Sequence, residues 1–439
     1  MIIFSRRLSY DDYGKFQSVW MYTNIVNVLI NFGLSAIILS TNLDFLFSFI
    51  RKNRKRLSIF YLLLWLCSLT GFFFFAKNFH TSLKLLLVVF IIIQNASTVF
   101  ETLLIKRKGE KISFFINLFY SILFLGWHLY ILFTNYSLFY LIAGICILSL
   151  FKLIVMIFVP HQEEVKQEIL QEKHFLKHWT FLGLNDVVGV ISKWIDKAFL
   201  LYLLTAADFA IFFNGSFEIP LFGLLISVTG SFLLIEISHH LHQHNKITRL
   251  FSENFMVLSA IVFPTFFFLF FFKSELFSFV FKNKYNASLP IFAISIFILP
   301  VRINNYSSVL QCFSEGKKIL WGSLLDIFFA VILMLILYPV MQTKGIALAV
   351  VISTWCQVIY YLWHSAKLLK TSVFQLVPFQ KLLIRFIAIL LLYLLLFFLI
   401  SHFELKIKLV IAALFTIIII AAFIFPYLKF FQIKKGIKV

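Results

Sequence analysis

The sequence predicts an all-α polytopic membrane protein built as two pseudo-symmetric six-helix lobes followed by two C-terminal helices. Three observations carry that expectation. The 439 residues are 61% hydrophobic and 13% charged, with mean hydropathy +0.96. A soluble domain is about half apolar and about a quarter charged, so lipid must be the solvent here. Thirteen apolar segments run in series, each close to the ~20 residues that a spanning helix needs. Finally, two short stretches of the first half recur in the second.

The candidate spans lie near 16–40, 57–76, 82–104, 112–133, 137–159, 179–203, 211–236, 253–272, 289–311, 318–341, 345–367, 379–401 and 405–428. No connection exceeds about 20 residues, which excludes a soluble catalytic domain and long extracytoplasmic loops. The organisation expected is 1–159 for the first lobe, 160–178 for a linker, 179–367 for the second lobe and 368–439 for a terminal pair and tail. The linker "HQEEVKQEILQEKHFLKH" mixes both signs of charge and reads as a surface helix.

Lys and Arg in alternate loops set the orientation. Of the 39, 24 fall on one side, 11 on the other and four inside helices: Lys152, Lys193, Lys197 and Arg302. The richer side, with "RKNRKR" and "KRKGEK", is the expected cytoplasmic face, which places the C-terminus inside. The formal charge of +20, spread among spans, fits cytoplasmic loops and anionic lipid rather than nucleic acid. Cys67, Cys146, Cys312 and Cys356 are far apart and form no metal or disulfide pattern.

"LSYDDYGKF" (Leu8–Phe16) aligns with "LTAADFAIF" (Leu204–Phe212) at an offset of 196, and "KGEKI" (Lys108–Ile112) with "EGKKI" (Glu315–Ile319) at 207. The same order and topology in both halves argue for a duplicated bundle, as in many transporters. A full span precedes Leu204 but only seven residues precede Leu8, so the duplication implies fourteen helices with the first one missing.

Polar groups mark the spans that line something. Asp186, Lys193 and Lys197 share a stripe of 179–203, with Asp196 three residues after Lys193. Each unpaired charge at bilayer depth costs about 3 kcal/mol, so the cluster faces a polar cavity or neutralises itself as a Lys193–Asp196 pair. Trp20, Asn24, Asn27 and Asn31 form a stripe on the first span, and Gln94, Thr98 and Glu101 one on the third. Arg302 and Asn305 share a face of a helix that Pro300 would kink; Glu218 precedes Pro220 at the depth of Lys197; Asp326 stands alone in "SLLDIFF". Buried asparagines also serve interhelical hydrogen bonds, whereas a guanidinium stays charged and suits phosphate. The cluster His239, His240, His242 and His244 reads as a solvated loop, and Asp11-Asp12 sits in too short a loop for glycosyltransferase chemistry.

"RRLSYDDYGKFQSVW" resembles the loop after the first helix of polysaccharide and O-antigen flippases. "WIDKAFLLYLLTAADFAIF" resembles that family's seventh helix and its following turn. "EGKKILWGSLLDIFFAVILMLILYPVMQTKGIALAVVIS" resembles its eleventh and twelfth helices, with Gly345, Ala347 and Ala349 as the small-residue start. The likeness extends over nearly the whole chain; Ala210 departs from the usual Gly. The superfamily also holds lipid II flippases and multidrug/cation antiporters, and the resemblance implies fourteen helices and alternating access.

The function so implied is translocation of a polyprenyl-diphosphate-linked oligosaccharide across a bacterial inner membrane, with no covalent step and so no enzyme activity. Lys193, Lys197 and Arg302 would contact the anion, and Asn24, Asn27 and Asn31 the sugar hydroxyls. Asp196, Glu218 or Asp326 would take a coupling H+ or Na+, since low dielectric favours the protonated carboxyl; no other cofactor is expected. Partners would be the bilayer, the lipid-linked oligosaccharide, and polysaccharide polymerase and chain-length machinery. The alternatives are an organic-cation antiporter, which needs a net acidic and aromatic cavity, and a membrane glycosyltransferase or polymerase, which the loop lengths oppose.

Overall fold

The structure, a computed structural model, describes residues 2–41, 43–77, 79–107, 109–134, 137–159, 172–216, 220–238, 240–313 and 315–427. Among these every regular element is helical. Two compact units emerge, Ile3–Ala210 and from Ile211 onward.

The first unit holds α1 (Ile2–Arg7), α2 (Tyr10–Asn31), α3 (Leu34–Ser40), α4 (Leu43–Lys52), α5 (Arg54–Phe75), α6 (Thr81–Lys106), α7 (Glu110–Thr134), α8 (Leu138–Phe158), α9 (Glu172–Leu203) and the start of α10 (Ala206–Gly215). The second holds α11 (Pro220–Ser238), α12 (His244–Phe271), α13 (Lys273–Phe281), α14 (Leu289–Ser295), α15 (Ser308–Cys312), α16 (Gly316–Met341), α17 (Thr343–Leu368), α18 (Val373–Leu376), α19 (Phe379–Leu399) and α20 (Leu405–Ile424). α9, placed at the head of the second lobe on sequence grounds, lies in the first unit, packed along α2.

Nine helices among the described residues are long and apolar enough to cross a membrane: α5 to α8, α12, α16, α17, α19 and α20, the last extended to Tyr427. The other four of the thirteen expected segments differ for physical reasons. Segment 16–40 breaks into α2 and α3, because Phe32 and Gly33 are left-handed, with φ of 39° and 73°. Segment 179–203 is continuous in α9 but carries four charges. Segment 211–236 divides into α10 and α11, and 289–311 unwinds between Leu299 and Ser307. Each of these four segments carries a residue singled out from the sequence: Asn24, Asn27 and Asn31, then Lys193 and Lys197, then Glu218, then Arg302.

The duplication is visible in the caps. Ser9 Oγ accepts from the Asp12 amide at 3.0 Å and donates to its carboxylate at 2.6 Å. Thr205 Oγ1 makes the same two bonds with Asp208, at 3.2 and 2.7 Å. Preceding and following backbone bonds match too: Leu8 to Phe4 and Leu204 to Leu200, Tyr13 to Ser9 and Phe209 to Thr205. All keep the offset of 196. Hydroxyl caps of this type satisfy amides that a helix start leaves unpaired. At the second match the structural register is 206, one residue less than the sequence alignment. Arg107 and Gly109 bond back to Leu103 and Leu104, as Phe313 and Glu315 bond back to Val309 and Leu310. Each is a Schellman-type helix end.

Two aromatic cores fill the units. In the first, Phe4 stacks on Phe16 at 4.7 Å, and Trp20 stacks on His128 at 6.0 Å. In the second, Phe263, Phe266, Phe267 and Phe271 of α12 meet Phe386, Tyr393 and Phe397 of α19. This anchors the terminal pair, which Tyr393 and Thr416 close with a hydroxyl–hydroxyl bond at 2.6 Å.

Candidate functional site

Two contacts hold α2 against α9–α10. At one end Gly14 lies so close to the Ala206 carbonyl that a Cβ there would collide with it. At the other, a Cβ on Gly33 would stand 2.6 Å from the Gly183 amide nitrogen. Trp179 Nε1 donates to the freed Phe32 carbonyl at 3.1 Å, and Asn31 Oδ1 accepts from the Ser35 amide at 3.0 Å across the break. These contacts fix an antiparallel register that puts Asn24 and Asn27 level with about residues 190–195 of α9.

At that level α9 carries its charges. Lys197 Nζ lies 3.1 Å from Asp196 Oδ2, with both side chains nearly buried, at 12% and 8% exposure. The self-neutralising pair is therefore Asp196–Lys197, not the Lys193–Asp196 pair that helical spacing favours. Lys193 is exposed, and no described carboxylate reaches ion-pair distance of it. Its ammonium lies 5.8 Å from the Trp194 ring, on which Lys197 also bears at 5.7 Å. Lys193, Asp196 and Lys197 together thus hold one net positive charge, next to an indole that tolerates cations. Asp186 is exposed on the same helix.

The three asparagines divide. Asn31 is engaged in the cap. Asn24 is exposed, its amide bonded to the Trp20 carbonyl at 2.7 Å, which leaves its oxygen outward. Asn27 accepts through its backbone from Asn95 at 3.2 Å, while its buried Oδ1 has no partner among the described residues. Buried amide oxygens are normally satisfied, so Asn27 has an acceptor to offer.

An open cleft of about 600 Å³ lies at the Gly14–Ala206 end of this helix pair, lined by Asp11, Lys15, Leu203 to Ala206 and Asp208. Asp11 is paired with Lys15 at 2.5 Å, and Asp12 and Asp208 belong to the caps. These carboxylates serve the turns.

In the second unit, Arg302 does not sit on a kinked helix: the segment Leu299–Ser307 is unwound. Asn304 holds it, accepting from Asn254 Nδ2 at 2.6 Å and donating to the Phe251 carbonyl at 3.2 Å. Tyr306 donates back to the Val301 carbonyl, and Ser308 Oγ to the Asn305 carbonyl. Gly230 lets Asn305 approach, since a Cβ there would stand 2.6 Å from Nδ2. Irregular backbone at membrane depth persists only where protein buries it or it lines a polar cavity. Asp326 is buried on α16 beside Tyr361, whose hydroxyl bonds Ser323 and the Ile319 carbonyl. Glu218 and His239 lie outside the described residues; His240 bonds the Glu236 carbonyl and Lys246. Among the described residues no three His, Cys, Asp or Glu gather as a metal site.

Two polar clusters had no place in the sequence-based site. Lys152 of α8 lies 3.1 Å from Glu101 of α6, and Asn117 of α7 donates to the same carboxylate at 2.6 Å. The sequence signal was available: single opposite charges in two spans, each a few turns from the same membrane face. Arg385 of α19 is buried, donates to the Met256 carbonyl and to Ser259 Oγ, and lies between Phe423 and Tyr427 at 5.3 and 5.4 Å. Loop counting assigned it to the cytoplasmic charge.

No protein-family model matches this chain, and no curated protein matches it in sequence. Solved structures do. A structure described as the lipid II flippase MurJ in an inward closed conformation superposes with a TM-score of 0.69 at 17% identity, over 96% of this chain and 95% of that one. An inward-facing multidrug resistance MATE family transporter of the MOP superfamily gives 0.54 at 14% identity, over 84% and 94%. Both neighbours are membrane transport proteins. At these identities the likeness is one of architecture: the chain has the fold of the lipid II flippase structure over nearly its full length and that of the multidrug transporter over most of it.

Proposed function

We propose that this multi-pass membrane protein is a flippase that moves a polyprenyl-diphosphate-linked oligosaccharide, an O-antigen, capsule or exopolysaccharide repeat unit, from the cytoplasmic to the outer leaflet of a bacterial plasma membrane by alternating access. The observation that carries this reading is the cation Lys193, which no carboxylate among the described residues compensates, at the level of Asn24 and Asn27. A diphosphate crossing a bilayer needs fixed positive charge that its own counterions cannot supply there. Lys197, already shared with Asp196, would add to it, and Arg302 in the unwound segment would offer a second anion contact. Asn24 and the unpartnered oxygen of Asn27 suit sugar hydroxyls, the latter once the helices part during alternating access, while Asn31 supports the helix break instead.

Coupling to H+ or Na+ would use Asp196, through its exchange with Lys197, or the buried Asp326, with Glu218 as a further candidate. The tail of the substrate stays in lipid, and no covalent bond changes. Polysaccharide polymerase and chain-length machinery are the expected downstream partners, and the Lys/Arg bias puts the C-terminus in the cytoplasm. An organic-cation antiporter would need the opposite charge around α2 and α9.

Deleting the gene tests the reading: lipid-linked repeat units should accumulate in the inner leaflet and surface polysaccharide should vanish. Complementation with Lys193→Ala or Arg302→Ala, expressed at the normal level, should fail to restore export. Normal surface polysaccharide in the deletion strain, with altered susceptibility to cationic drugs instead, would sink the flippase reading in favour of the antiporter.

A further inference from the structure

We infer that the corner between α4 and α5 is a docking site for the headgroup of an anionic phospholipid. Five cations occur within six residues: Arg51 and Lys52 end α4, and Arg54, Lys55 and Arg56 begin α5, with only Asn53 between them. All five are exposed. No carboxylate among the described residues pairs with Arg51, Arg54, Lys55 or Arg56.

The placement is electrostatically costly on its own. Three cations in the first turn of α5 face the positive end of its macrodipole, where anions are favoured. Arg51 and Lys52 suit the end of α4 but add their charge to the same corner. Among the described residues, Arg51, Arg54, Lys55 and Arg56 are thus left without a counter-anion.

Its surroundings say which anion. α4 is an amphipathic helix: Leu43, Leu46 and Phe49 are buried against Ile37 and Ile38 of α3 and Phe175 and Trp179 of α9, while Phe47 and Ser48 face outward. From Lys55 an exposed apolar stripe descends α5 through Ile59, Leu62 and Leu66. Cations at the head and an apolar track beneath them, on one helix face, match a phospholipid with its phosphate at the corner and an acyl chain along α5. A soluble phosphate would use the cations and leave the track without a role. The corner lies on the side that the Lys/Arg bias assigns to the cytoplasm, where juxtamembrane clusters of four to eight basic residues bind anionic lipid.

Native mass spectrometry of the full-length protein, released from nanodiscs of equal phosphatidylglycerol and phosphatidylcholine, tests this without any transport assay. Wild type should retain one or two phosphatidylglycerol molecules in strong preference to phosphatidylcholine. Arg51→Gln/Arg54→Gln/Lys55→Gln/Arg56→Gln should lose them, since each basic residue near an anionic surface contributes roughly fivefold. Single Arg54→Gln and Lys55→Gln, which leave topology undisturbed, should each weaken retention about fivefold. The control Lys317→Gln/Lys318→Gln/Lys367→Gln/Lys370→Gln removes the same charge elsewhere on that side and should retain the lipid. Unchanged retention in the corner variants, or equal loss in the control, would overturn the assignment. Its failure would leave the proposed flippase reading untouched, because that reading rests on α2 and α9.

Discussion

Lys193→Met and Lys197→Met remove the same group from one helix, four residues apart, and should have opposite consequences. Lys197 neutralises Asp196 at 3.1 Å in surroundings that leave the carboxylate 8% exposed. Taking Lys197 away strands a charge at membrane depth, which costs about 3 kcal/mol, and in a chain of this size lowers the unfolding temperature by roughly 3 °C. Lys193 has no described carboxylate partner, and its contact with Trp194 at 5.8 Å is worth about 0.5–1 kcal/mol at an exposed site. Relief of an uncompensated charge offsets that loss, so Lys193→Met should unfold within about 1 kcal/mol of wild type. Thermal unfolding of the purified proteins in one detergent, followed by helical circular dichroism, reads both. The double variant Asp196→Leu/Lys197→Met should recover most of the stability that Lys197→Met loses, because it leaves no bare charge. In the deletion strain Lys193→Met should nonetheless fail to support export. If Lys193→Met destabilises as much as Lys197→Met, or the double variant shows no recovery, the division into one structural and one functional lysine is wrong.

The same apparatus checks the other clusters. In a double-mutant cycle, Glu101→Leu and Lys152→Met should each destabilise by about 2 kcal/mol and the pair by little more than either alone, because each single change leaves the opposite charge inside the first unit; additive losses would show no coupling. Gly14→Ala should cost about 1–3 kcal/mol in thermal unfolding, because its Cβ meets backbone rather than a yielding side chain; a neutral result would deny the close approach of α2 to Ala206. Asn304→Leu should destabilise by about 2–3 kcal/mol and speed amide exchange across Leu299–Ser307, since it removes the clamp on the unwound segment and leaves Asn254 unsatisfied. Arg385→Lys should lose about 1–2 kcal/mol despite keeping the charge, because an ammonium cannot reproduce the planar fork between Phe423 and Tyr427.

The spans and the duplication were legible because they rest on properties each segment carries by itself. An apolar run is apolar whatever it packs against, and a hydroxyl at the cap position bonds the amide three residues on in both halves, as Ser9 and Thr205 do. The breaks were less legible, because two partners make each of them. At one of them, Phe32 is held left-handed with Gly183 and Trp179 of α9 against it. Pro300 suggested a kink, whereas the unwinding of Leu299–Ser307 depends on Asn254, some fifty residues earlier in the chain.

The charges show the same division more sharply. Helical spacing puts Asp196 nearer in angle to Lys193 than to Lys197, so sequence alone pairs it with the wrong lysine. Burial reverses that choice: Asp196 points to the covered side of α9, and the flexible stem of Lys197 follows it there while Lys193 stays outside. An ion pair satisfies its members, and a charge left over needs a ligand or water. The residue that helical spacing would have neutralised is therefore the one left without a carboxylate among the described residues, which is why the proposed anion contact falls on Lys193 rather than on Lys197.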